Sequence, residues 1–141
     1  MNTAAYEKPL PVADIDTEAF WAGCKEHKLI VPKCANCGKY LFPPGPMCPE
    51  CQSTKFENEE VEGKGVVDSW VVVCYSPNPE FAGDTPYLVI MVELDAPKRI
   101  MLCGNIKECK NEEIYAGMPV EVVFDDVTSE VTLPQWKPVV K

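Results

Sequence analysis

Four cysteines carry the clearest chemistry in this sequence. Cys34 and Cys37 form one Cys-x-x-Cys pair and Cys48 and Cys51 a second, with ten residues between them. Four thiolates brought together are the ligand set of a tetrahedral metal site. A disulfide framework and a redox dithiol are the competing chemistries. The N-terminal MNTAAYEKPLPVADID lacks the basic start and apolar stretch of a secretory signal, so a cytoplasmic chain is expected. Thiols stay reduced there, and eight cysteines then favour metal over disulfides. Neither pair opens a helix, which argues against a reactive dithiol. Zinc is the expected ion; tetrahedral sulfur also holds a single iron, the second reading.

The elements around the cysteines fit this reading. Cys34-Ala-Asn-Cys37-Gly38 and Cys48-Pro49-Glu50-Cys51 each suit a knuckle that turns backbone N–H groups toward the thiolates. The intervening GKYLFPPGPM is stiff with proline, which favours a rubredoxin-like loop within a zinc ribbon. A module of roughly 28 residues has too little apolar interior to fold without its metal.

Three parts follow along the chain. Residues 1–32 hold an arm with Pro9 and Pro11, then a short helix from Asp16 or Thr17 through TEAFWAGCKEHK. Phe20, Trp21 and Cys24 give that helix one apolar stripe, and LIVPKC leads as a strand into the first cysteine pair. Residues 33–60 form the ribbon, with QSTKFENEE as a polar connector. Residues 61–141 are strand-like: GVVDSWVVVCY, PYLVIMVELD, KRIMLCGNI, PVEVVFDDV and VTLPQW are bounded by turn signals. Leu88, Ile90, Val92 and Leu94 share one face of the second strand. NEEIYAGM supplies a helical turn ending at Gly117. Five short strands with a helical turn between the third and fourth match an OB-fold barrel, although periodicity alone also permits another small barrel or a sandwich. The fold class expected is mainly β.

Charge limits the partners. There are 13 basic and 22 acidic residues, a net charge of −9, and each of the three parts is acidic on balance. Nucleic-acid binding needs cationic neutralisation of phosphates, so a nucleic-acid-binding zinc-ribbon/OB module is the weaker alternative. No apolar run reaches the length of about 20 residues that a membrane helix requires.

The remaining candidates have plainer roles. Cys24, Cys74 and Cys103 lie in apolar patterns and read as small buried hydrophobes; Cys109 reads as a loop thiol. His27 is the lone histidine, read as solvated at a helix end. Glu112-Glu113 and Asp125-Asp126 read as solvated turns. Without a nucleophile–base pair, the chain reads as a subunit rather than a complete enzyme.

The order FWAGCKEHKLIVPKCANCGKYLFPPGPMCPEC, GKGVVDSWVVV, PYLVIMVELD, CGNI, AGMPVEVVFDDV and LPQWKP resembles one family along nearly the whole chain. It is similar to the zinc-ribbon plus OB-fold proteins that accompany thiolases. Such proteins assemble with thiolase-fold enzymes acting on carbon–carbon bonds of acyl-CoA thioesters. Some link an acetoacetyl-CoA thiolase to hydroxymethylglutaryl-CoA synthase. Others partner the benzoylsuccinyl-CoA thiolase of anaerobic toluene degradation, an acetyltransferase of phloroglucinol biosynthesis, or the hydratase and aldolase of steroid side-chain breakdown.

The resemblance implies a helix, a rubredoxin-like zinc ribbon and a C-terminal OB-fold, with the catalytic cysteine and histidines on a thiolase-fold partner. It also implies help in binding the shared CoA thioester. Lys64 or Lys98 would contribute charge there, and Phe81 and Tyr87 apolar cover. Phe42 and Pro44 in YLFPPGPM, and Trp136 in LPQWKPVV, are the expected interface residues, with packing against the barrel end as the alternative for Trp136. High cysteine content tilts the choice of partner toward the aromatic-degradation thiolase.

Overall fold

The computed structural model describes residues 6–96 and 99–139. It is mainly β, with helix α1 (Glu18–Lys25), a two-stranded sheet and a curled five-stranded sheet. α1 starts at a turn in which Asp14 Oδ1 accepts the Asp16 and Thr17 amides at 2.9 Å. Thr17 is the N-cap position, yet its hydroxyl accepts the Asp14 amide instead of capping the helix. The helix ends when the Lys28 amide reaches Gly23 O (2.8 Å) and the His27 amide reaches Cys24 O (2.9 Å). This six-to-one, five-to-two pattern places His27 in the left-handed region at φ 60°. Phe20 and Cys24 are buried. A Cβ on Gly23 would lie 2.5 Å from Ile30 Cγ1, so glycine lets the next strand cross close beneath the helix.

That strand is β1 (Leu29–Cys34), paired antiparallel with β2 (Phe56–Val61) from Leu29↔Val61 to Cys34↔Phe56. β2 corrects the expectation of a polar connector. FENEEV pairs with β1 along its whole length, and one of its glutamates gains side-chain partners: Tyr40 Oη donates to Glu59 Oε2 at 2.9 Å, and Lys33 Nζ lies 3.7 Å from the same carboxylate.

The second sheet runs β5-β4-β3-β6-β7, where β3 is Lys64–Val73, β4 Tyr87–Leu94, β5 Met101–Gly104, β6 Pro119–Asp126 and β7 Thr132–Pro138. The first strand of the domain thus sits at the centre, as an OB-fold requires. α2 (Pro79–Ala82) lies between β3 and β4, and a short 3-10 turn (Asn111–Glu113) precedes Gly117 at φ 88°. Leu88, Ile90, Val92 and Leu94 are all buried, as the alternation predicts.

The curled sheet closes where Trp136 bridges Ile106 in parallel. The Trp136 amide donates to Asn105 O (3.0 Å), and the Lys107 amide donates to Trp136 O (2.7 Å). Trp136 is 0% exposed, so its side chain packs in the barrel core, the alternative to its expected role as an interface anchor. Gly104 makes room for it: a Cβ there would stand 3.1 Å from the indole. Cys74 and Cys103 are exposed rather than buried. Cys103 is paired with Met91 on the outer face of the sheet, whereas Leu102 and Val92 face the core; Cys74 lies just past the end of β3.

Candidate metal centre and ligand pocket

Each cysteine pair is built on the same knuckle. The Gly38 amide donates to Cys34 O and the Gln52 amide to Cys48 O, both at 2.9 Å. The Cys34 amide reaches Lys39 O (2.7 Å), and the Cys48 amide reaches Ser53 O (2.9 Å). The residue after each pair is left-handed, Gly38 at φ 78° and Gln52 at φ 64°. These turns gather the four sulfurs within 4.8 Å of one another, with Cys34–Cys51 at 3.5 Å and Cys37–Cys48 at 3.6 Å. Metal–sulfur bonds of about 2.3 Å in a tetrahedron separate sulfurs by about 3.8 Å, so the donor set fits one zinc. This is the one cluster of three or more such ligand groups among the described residues.

The local field favours thiolate at Cys34 and Cys51 but not at Cys37. The Cys37 amide donates to Cys34 Sγ and helps pull that thiol down to about 6; the Asn36 side chain lowers Cys51. Against the Lys39 amide, burial and the neighbouring thiols raise Cys37 to about 11. Cys24, outside the cluster, is pushed up to about 12 by burial. That makes it an inert core thiol.

The other candidates do not form one site. Phe81 and Tyr87 come together, ring centroids 6.4 Å apart, on the wall of a cavity of about 400 Å³ at one end of the barrel. Lys64 lies elsewhere, in a groove with Glu93, Asp95 and Pro119, and Lys98 falls outside the described residues. Sequence reasoning missed the two lysines that do line the cavity. Lys8 lies 5.5 Å from the Phe81 ring centroid and 2.5 Å from Asp84, and Lys107 is 2.7 Å from Asp125. The hydrogen bond that Lys8 donates to Asp84 raises the Lys8 pKa, outweighing its partial burial. Both cations are matched by a carboxylate, so the cavity is amphipathic rather than strongly positive.

In the ribbon loop, Phe42 is half-buried against Phe20 at 5.1 Å, and Pro44 is also half-buried. His27 is half-exposed and tied: it stacks on Phe124 at 5.3 Å, and its Nε2 lies 3.1 Å from both Asp126 oxygens. Thr132 Oγ1 donates to the same carboxylate. Asp125 and Asp126 therefore pin structure, as does Glu113, whose carboxylate accepts the Lys110 amide at 2.8 Å.

Comparison with known proteins agrees with this anatomy. Residues 21–57 match the family model for the ChsH2 rubredoxin-like zinc ribbon domain, and 58–125 match the ChsH2 C-terminal OB-fold domain. A DUF35 domain-containing scaffold protein of Methanocaldococcus jannaschii is 41% identical over 106 residues, 74% of this chain and 73% of that protein. The 3-oxo-4,17-pregnadiene-20-carboxyl-CoA hydratase alpha subunit of Mycobacterium tuberculosis is 30% identical over 91% of this chain, and a probable enoyl-CoA hydratase alpha subunit of Thermomonospora curvata is 33% identical over 94%. The chain spans only 39% and 40% of those two proteins. A solved structure described as an Ltp2-ChsH2(DUF35) aldolase superposes with TM-score 0.80 at 33% identity, covering 92% of this chain and 99% of that one. With both halves matched in order, the chain belongs to the ChsH2 family of rubredoxin-like zinc ribbon plus OB-fold proteins.

Proposed function

We propose that this chain is a non-catalytic scaffold subunit of an enzyme complex that makes or breaks carbon–carbon bonds in acyl-CoA thioesters. The observation that carries the proposal is a closed four-thiolate site joined to an OB barrel, in a chain whose one histidine, His27 just past α1, is tied to Asp126 of the barrel. A metal held by Cys34, Cys37, Cys48 and Cys51 would be coordinatively saturated, and so structural. The reacting groups then belong to a partner, in keeping with relatives named as a scaffold, as hydratase alpha subunits and in an aldolase complex.

The finer reading is a thiolase-fold partner, with the benzoylsuccinyl-CoA thiolase of anaerobic aromatic degradation as the preferred case. The cavity bounded by Phe81, Tyr87, Lys8 and Lys107 would take part of the CoA moiety, its apolar wall against the adenine or pantetheine and the partner supplying most of the phosphate contacts. A second reading, a subunit of an acyl-CoA hydratase or aldolase, is favoured by the names of the relatives.

The experiment is purification of the tagged chain from its native source, with mass-spectrometric identification of the stoichiometric partner. A thiolase-fold acyl-CoA enzyme supports the first reading and a hydratase or aldolase the second. A partner unrelated to acyl-CoA chemistry contradicts both.

A further inference from the structure

β3 is paired along most of its length on one side and over only a short stretch on the other. It pairs with β4 from Gly65 to Val73, but with β6 only through Lys64, Gly65 and Val66. The last bonds on the β6 side join Val67 to Gly117 and Met118, and on that side no described residue before Gly117 pairs with β3. An extra residue, Asp68, marks a bulge at this point. Beyond it Ser69–Val73 is an open sheet edge among the described residues, its exposed backbone groups available to another strand.

The side chains on this edge are apolar on both faces. Trp70 and Val72 oppose Ile90 and Leu88 on the core side, and Val71 opposes Val89 on the outer side. Val71 is 59% and Tyr75 81% exposed. Residues 69–75 read SWVVVCY, with no charge and none of the lysines or prolines that usually protect an edge. Trp70, Val71, Val72 and Tyr75 are all exposed and lie close together along the chain, and a contiguous apolar patch of this kind is often functional.

Charge selects the occupant. A second copy would bring another net −9 against this edge, which disfavours self-association and favours a partner that brings basic groups. Resting on the reading above, we infer that Ser69–Tyr75 is where the catalytic acyl-CoA subunit docks, by adding an uncharged extended strand with basic flanks to the β3 edge.

The test compares the tagged full chain with Val71→Glu, Tyr75→Glu and a control, Val12→Glu, at an arm residue 87% exposed, each expressed in the native source. The readouts are the amount of the identified acyl-CoA enzyme recovered, bound zinc, melting temperature, and amide exchange across residues 69–75 in the complex. The expected result is at least a tenfold loss of partner for Val71→Glu and Tyr75→Glu. Val12→Glu, zinc content and melting should be unchanged, and exchange at 69–75 should be slowed in the wild-type complex. Undiminished recovery with either edge variant overturns the docking site while leaving the scaffold reading intact. A wild-type chain that recovers no acyl-CoA enzyme overturns the scaffold reading and the docking site with it. A homodimer of the isolated chain that Val71→Glu dissociates assigns the edge to a second copy and overturns the inference.

Discussion

Gly38 and Gln52 occupy equivalent positions in the two cysteine knuckles and share the left-handed conformation, at φ 78° and 64°. Glycine adopts this region freely; glutamine does so under steric strain. Gln52→Gly should therefore stabilise the metal-bound ribbon by about 0.5–1 kcal/mol. Guanidinium titration followed through a ribbon-specific signal checks this. A destabilised variant would show that the glutamine side chain makes up for its backbone.

The ribbon depends on its metal. Cys48 is buried, and its sulfur is 3.6 Å from that of Cys37. Cys48→Ser should abolish stoichiometric zinc and disorder residues 33–56, while the barrel strands keep their amide protection. Elemental analysis and hydrogen exchange read the two effects separately. A metal-free variant with an ordered ribbon would contradict the structural role.

Trp136 should behave as a core residue. It is fully buried across the barrel seam, and its Nε1 has no hydrogen-bond partner among the described residues. Trp136→Ala should destabilise by about 3–5 kcal/mol through the cavity it leaves. Trp136→Phe should be milder, because it removes an unsatisfied donor along with part of the ring. The comparison is made by chemical denaturation. Equal losses for the two variants would mean the indole nitrogen is satisfied in solution.

His27 and Asp126 couple α1 to β6. The Thr132 hydroxyl and then His27 hold the Asp126 carboxyl below its usual range. A depressed folded-state pKa favours the native state while the carboxylate is ionised, so this stabilisation is present above the ordinary value near 3.8 and is lost as pH falls through and below it. Asp126→Asn should therefore melt below wild type at neutral pH, with the gap closing in acid. Melting temperatures of both proteins across the acid range check the sign, and a gap independent of pH removes ionisation as its cause.

The metal site was legible because its information is local: two short pairs and a proline-stiffened loop encode it. The strands of the barrel were legible from alternation, which fixes Leu88, Ile90, Val92 and Leu94 on the core face. What sequence patterns hid depends on distant partners. FENEEV becomes β2 by pairing with the distant Leu29–Cys34, with Tyr40 and Lys33 meeting Glu59. Between an anchor and a packed side chain the sequence could not choose for Trp136, because its burial is decided by the seam with Asn105 and Ile106. His27 pairs with a carboxylate 99 residues away. Phe81 and Tyr87 do meet, but Lys64 is on another surface and Lys8, from the arm, takes the cationic place beside them. The open edge of β3 is equally non-local, since it exists only because β6 stops pairing at Val66.

The central claim is that the chain supports acyl-CoA carbon–carbon chemistry without performing it. The most direct measurement is carbon–carbon cleavage of an acyl-CoA substrate by the zinc-loaded chain alone, by the separated partner alone, and by the two recombined. The account predicts no turnover by this chain, and full activity only when the subunits are recombined. Turnover by the purified chain, with no partner detected by mass spectrometry, would contradict it.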